Sequence, residues 1–152
     1  GGHRHGPRRR GTVEAVTTPA APARLHDMPL CGTLGMRAPV PRPDEVVVEL
    51  DHMPGLCTVG GVLHGGVVMA LADSAGGACA WLNRPAGTET TTVESKTNFL
   101  GTVRSGTVTA TARPLHVGST TVVVETTVTD DAGRPVAKVT QTQLVLRPSG
   151  PP

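Results

Sequence analysis

Tyrosine is absent from this 152-residue chain, and Phe99 and Trp81 are its only aromatic residues. A surface that stacks nucleic-acid bases on aromatic rings is therefore nearly excluded. Cysteine is scarce. Cys31, Cys57 and Cys79 are odd in number, widely spaced and form no C-x-x-C. Neither a disulfide framework nor a zinc site is expected, and a reducing cytoplasm is the natural location. Long hydrophobic runs are also lacking. The most apolar stretch, His64 to Leu82, is too short and too Gly-rich to span a bilayer, which takes roughly 20 apolar residues. The basic N-terminal residues are followed by no apolar segment, so a secretory or twin-Arg signal is not expected.

What is present fits one domain. Hydrophobic residues make up 38% and charged residues 17%, a balance unlike that of a disordered chain. Thr and Val, 21 of each, favour strands. The formal net charge is +2, but it is unevenly spread. Arg4, Arg8, Arg9, Arg10 and Arg24 face only Glu14 in the first 26 residues, so the basic character belongs to a leader and not to the domain. The expected organisation is a disordered basic leader over 1–25, a domain over 26–147 and a tail over 148–152. A leader that touches nucleic acid or a membrane surface is the sharper alternative to a solvated arm.

Along the domain, residues 31–40 and 45–51 read as two strands joined by a PRPD turn, after a weak helical signal at 26–30. Residues 53–63 are a Gly- and Pro-containing loop. His64 to Leu82 is a helix apolar nearly all round, hence expected to be buried, and NRPAG ends it. The rest alternates as strands. Val93, Ser95, Thr97 and Phe99 are expected on one face, with Thr92, Glu94, Lys96 and Asn98 on the other. A hairpin turn falls at Asp131, Ala132 and Gly133. This order predicts an α+β fold: one antiparallel sheet of five to six strands with a single long helix across it. A sheet covers only one side of such a helix, so a second subunit is expected to cover part of the rest.

Asp73 is the most informative residue. Between Asp51 and Arg84 no other residue is charged. A carboxylate within an apolar helix has no folding rationale and reads as a base or a nucleophile. The plain alternative is a polar spot where the helix meets solvent. Upstream, His64, Gly65 and Gly66 open the helix, where unpaired N–H groups and glycines let a ligand's oxyanion approach the backbone. Gly65 and Asp73 are eight residues apart, about 12 Å along the axis. Two antiparallel helices at a dimer interface would bring the two features together.

LHGGVVMALADSAGG resembles the helix signature of hotdog-fold thioesterases of the phenylacetate-pathway (PaaI-like) type. The resemblance continues through TTVESKTNFLGTV and VTDDAGRPVAKVTQTQLVL and covers about residues 28–147. It implies a hotdog fold, a sheet wrapped on a central helix, and hydrolysis of an acyl- or aryl-coenzyme A thioester. Gly65 would polarise the carbonyl through its N–H, with His64 shaping the loop. Asp73 of the other subunit would activate water or attack the carbonyl, and Thr92, or next Thr91, would help hold the water.

Two positions and one stretch depart from the pattern. Thr58 stands where relatives often have Asn or Gln. Gly77 replaces a hydroxyl residue and leaves space. His116, Val117, Gly118 and Ser119 carry no added positive charge where the nucleotide phosphates would lie, leaving Arg104, Arg113 or a partner-subunit arginine to substitute. Gly66 is counted with the substrate-contacting residues, and Gly76, Gly77 and Ala80 are read as room for an aryl or medium-chain group. No metal or cofactor is expected, coenzyme A being part of the substrate. A homodimer or homotetramer is expected, with neither nucleic acid nor membrane as partner. The alternatives are a regulatory hotdog protein that binds acyl-CoA without cleaving it, a hydratase on the same fold, and a nucleic-acid role for the leader.

Overall fold

The structure, a computed structural model, describes Leu25, residues 28–148 and Gly150. The basic leader expected over 1–25 therefore lies outside the described residues, apart from Leu25, which is buried in the core. In chain order the elements are α1 (Pro29–Leu34), β1 (Val46–Asp51), two short 3-10 turns (Pro54–Leu56 and Val59–Gly61), α2 (Gly65–Asn83), β2 (Glu89–Phe99), β3 (Thr107–Val117), β4 (Thr121–Thr129) and β5 (Pro135–Leu146). The strands form one antiparallel sheet in the order β1-β3-β4-β5-β2, with α2 packed across it. This is the α+β hotdog arrangement the sequence predicts, at five strands.

The core follows the two periodicities. Val46, Val48 and Leu50 of β1, Val108, Ala110 and Ala112 of β3, and Val122 and Val124 of β4 alternate with half-exposed residues and are fully buried. Val68, Leu71, Ala72, Ala75, Cys79 and Ala80 form the buried face of α2 against them. Each large aliphatic side chain so buried contributes about 1.5–3 kcal/mol. Most of the helix's contact residues are small, which lets its backbone lie close to the sheet.

The structure corrects the sequence reading in three places. Residues 31–40 are not a strand, and the helical signal at 26–30 sits too early. Pro29 opens α1 at a first-turn position, and Gly35, with φ of 73°, closes it by donating its N–H to carbonyls at Cys31 and Gly32. What remains of the expected strand is a single bridge, Arg37 to Glu49, along the outer edge of β1. Second, the helix read as buried is, within one chain, exposed along Gly66, Met69 and Asp73, on a side left for the expected second subunit. Third, β2 contains a bulge. Thr92 pairs with Gln143, but Glu94 pairs with Thr142, leaving Val93 as the extra residue. One inserted residue reverses the alternation. Thr92 therefore shares the helix-facing side with Ser95, Thr97 and Phe99 instead of opposing them.

Candidate active site

Helix α2 begins with His64 as its N-cap. Its Nδ1 accepts the Gly66 N–H at 2.8 Å, which requires the proton of the neutral ring to sit on Nε2. The His64 N–H donates to the Leu56 carbonyl at 2.9 Å, tying the cap to the preceding loop. The Gly65 N–H has no acceptor among the described residues. A Cβ at Gly65 would lie 3.2 Å from the Phe99 ring, so a glycine here lets that ring cover the helix start. Thr58 caps the second 3-10 turn in the same loop, exposed and without a side-chain hydrogen bond to that turn.

Two turns further on, Asp73 sits on the open stripe of α2 and not in a dry core. Its Oδ1 accepts from the Thr92 hydroxyl at 3.2 Å and from Gln141 Nε2 at 3.1 Å. Thr92 Oγ1 in turn accepts from Gln143 Nε2 at 2.6 Å. Gln141 and Gln143 alternate with Val139 and Val145 on the buried side of β5, and both are essentially without solvent contact. The sequence reading did not single them out. Their signal is present in VTQTQLVL, as two amides in the register of an otherwise aliphatic buried face.

Gly76 explains how the first amide fits. A Cβ there would collide with the Gln141 side chain. Its space is thus taken by the protein itself, and it offers no room for a substrate. Ala80, likewise, is fully buried. A mid-helix glycine costs roughly 0.5–1 kcal/mol relative to alanine, which the amide contact offsets.

Asp73 and Thr92 open on a cleft of about 420 Å³ between α1, α2 and β2. Gly77 and Thr91 line it as well. Its apolar wall includes Leu25, Met28, Leu30 and Trp81. Trp81 is held by the Arg84 guanidinium, centred 3.6 Å from the ring centroid. Cys31 anchors α1 by donating its thiol to the Ser74 hydroxyl at 3.4 Å. The cleft volume is in the ordinary range for small-molecule sites, about 300–1,000 Å³.

The remaining expected residues lie elsewhere. Thr58, His64, Gly65 and Gly66 do not line the cleft, and neither do His116, Gly118 and Ser119. His116 packs its imidazole on Gly118 in the β3–β4 turn. Arg147 donates to the Ser119 carbonyl at 3.2 Å, which brings to that turn a positive charge its local sequence lacks. Arg113 is paired with Glu45, and Arg104 reaches the Gly60 carbonyl at 2.7 Å, beside the loop before α2. Among the described residues no three His, Cys, Asp or Glu side chains converge in a way that would hold a metal.

Comparison with known proteins agrees with this fold. The family model of the thioesterase superfamily matches residues 60–137. "Putative esterase Rv1847" of Mycobacterium tuberculosis is 37% identical over 125 residues, which is 80% of this chain and 89% of that protein. Its solved structure superposes with a TM-score of 0.76 at 32% identity, covering 80% of this chain and 98% of that one. Thioesterase HI1161 of Haemophilus influenzae has a TM-score of 0.76 at 26% identity, covering 81% and 86% of the two chains.

Proposed function

Because the chain belongs to the thioesterase superfamily and is a thioester hydrolase, we propose that its substrates are acyl- or aryl-coenzyme A esters and that Asp73 carries the chemistry. The observation that carries this reading is the placement of Asp73. It is a carboxylate on an otherwise uncharged helix, held by Thr92 and Gln141 at the wall of an apolar cleft. In one course Asp73 takes a proton from water, and the hydroxide adds to the thioester carbonyl. In the other its carboxylate adds directly, and water then hydrolyses the resulting anhydride. Either way the tetrahedral oxyanion collapses by breaking the C–S bond and expelling the coenzyme A thiolate.

The oxyanion needs a donor. The Gly65 N–H, at the positive end of the α2 dipole and without an acceptor among the described residues, suits that role. It lies about 12 Å along the helix from Asp73. A donor from a second copy, its helix antiparallel to the first, brings the two within reach of one carbonyl. The exposed apolar residues Met69, Val93 and Phe99, on α2 and β2, support such a pairing, as does the edge of β2, which has no backbone partner among the described residues. Arg147, beside Ser119, is the basic residue best placed for the nucleotide phosphates. The free thiols of Cys31, Cys57 and Cys79 support a reducing, cytoplasmic location.

The test is hydrolysis of phenylacetyl-, benzoyl-, hexanoyl- and lauroyl-CoA followed by free-thiol release, with Asp73→Asn run in parallel. The wild type turns over at least one ester. The variant loses about 10³-fold or more in kcat, with melting temperature and oligomer size unchanged. A variant that keeps most of its kcat sinks the role of Asp73. A wild type inert on the whole panel sinks the substrate assignment.

A further inference from the structure

Burying a side-chain amide in an aliphatic row is unfavourable unless its hydrogen bonds are made. On the helix-facing side of β5 two such amides occur in succession, Gln141 and Gln143, between Val139 and Val145. Valine at either position would suit the strand and the core. Both amides instead feed one atom. Gln141 Nε2 donates directly to Asp73 Oδ1, and Gln143 Nε2 donates to the Thr92 hydroxyl, which donates to the same Oδ1. No donor among the described residues reaches Oδ2.

Two further features show that this arrangement is built for the carboxylate rather than for packing. Gly76 lacks the Cβ that would block the Gln141 amide. The other end of that amide, Oε1, is buried and has no hydrogen-bond partner among the described residues. The side chain leaves one of its polar atoms unsatisfied while its Nε2 reaches Asp73. The bulge at Val93 brings Thr92 to the helix side, where its hydroxyl completes the second route.

We propose that Gln141 acts directly, and Gln143 through Thr92, as positioning residues that pin Asp73 by Oδ1 and leave Oδ2 as the oxygen that meets water or the thioester. The proposal rests on the role assigned to Asp73 above. It also revises the role expected of Thr92. Its hydroxyl proton is committed to Asp73, so Thr92 orients the carboxylate and does not donate to the water.

Three variants test this on the full chain, assayed with whichever ester of the panel the wild type turns over. Gln141→Met keeps the length of the side chain and removes the donor. It lowers kcat about 10- to 100-fold with KM within about twofold, the pattern of a displaced reacting group. Gln143→Met lowers kcat less. Thr92→Val lowers kcat, and Thr92→Ser, which restores the hydroxyl, recovers it to within a few-fold. The decisive measurement is the double variant Thr92→Val with Gln143→Met. If Gln143 acts through the Thr92 hydroxyl, adding Gln143→Met to Thr92→Val costs nothing more in kcat. A purely structural role for Gln143 gives multiplicative losses that follow the melting temperature, and this overturns the relay. Wild-type kcat in a folded Gln141→Met variant overturns the direct route. Should Gln141→Met fail to fold, Gln141→Leu tests the direct route in its place, and the Thr92–Gln143 cycle tests the relay. Loss of activity in Asp73→Asn with no effect in these variants refutes only the positioning; survival of activity in Asp73→Asn refutes the underlying role of Asp73.

Discussion

The two edge strands of the sheet differ in almost every respect. β1 presents Val46, Val48 and Leu50 to the core, all fully buried, and its outer edge is closed by the Arg37 backbone, which exchanges two hydrogen bonds with Glu49. Arg37 also grips Asp51 by donating from Nη1 and Nη2 to the two carboxylate oxygens, at 2.7 and 2.9 Å. β2 is longer, exposed along most of its length and bulged, and it presents threonine, serine and Phe99 to the helix side. An uncovered edge is a pairing surface that folded chains usually blunt. β1 is blunted by its own chain, whereas β2 keeps its edge open and carries Thr92. One edge holds the fold together; the other carries part of the candidate site.

Substitutions on the two strands should separate stability from activity. The largest effect is expected at β1. Leu50→Ala should cost about 2–5 kcal/mol in urea unfolding, with kcat per folded molecule unchanged. A cost well under 1 kcal/mol would mean that β1 is not the structural edge. On β2 the sign should reverse. The Thr97 hydroxyl is buried with no partner among the described residues, so Thr97→Val should raise stability by about 1 kcal/mol. A destabilised variant would show that this hydroxyl finds a partner when the edge is covered.

The smallest effect concerns acid. The Arg37 guanidinium first, and then the Thr107 hydroxyl, hold the Asp51 carboxyl below its ordinary value of 3.8. A carboxyl lowered in the folded state adds stability that is complete above the unfolded value and is lost as pH falls through the folded one. The melting temperature of the wild type should therefore drop more steeply below about pH 4 than that of Asp51→Asn. The difference should be small, because the pair is exposed and salt screens it. Parallel melting curves would remove Asp51 from the account of β1.

Much of this was legible in the residues. The long helix, an antiparallel sheet and the hairpin at Asp131–Gly133 follow from periodicity and turn chemistry, which are local; the strand order does not, and of the two strands expected before the helix only 45–51 forms. Asp73 stood out because no other charge lies near it in sequence, and His64-Gly65-Gly66 because a helix start needs a cap. Less legible was α1, whose Pro29 and Gly35 punctuate only six residues of weak helical pattern. Asp73 is exposed within one chain because a single sheet covers only the face of α2 that carries Leu71, Ala75 and Cys79, the incomplete cover from which a second subunit is expected.

The sequence by itself determined which residues are available and how each segment prefers to run: alternating Val and Thr for strands, small apolar residues for the helix, and one carboxylate set among them. Only the tertiary structure decided what that carboxylate touches. Gln141 lies 68 residues from Asp73, and Gln143 lies 51 residues from Thr92. Their meeting depends on β5 lying beside β2 and on one extra residue at Val93. A pattern of local preferences cannot encode such a meeting, because strand parity and strand neighbours are settled by the packing of the whole sheet on α2.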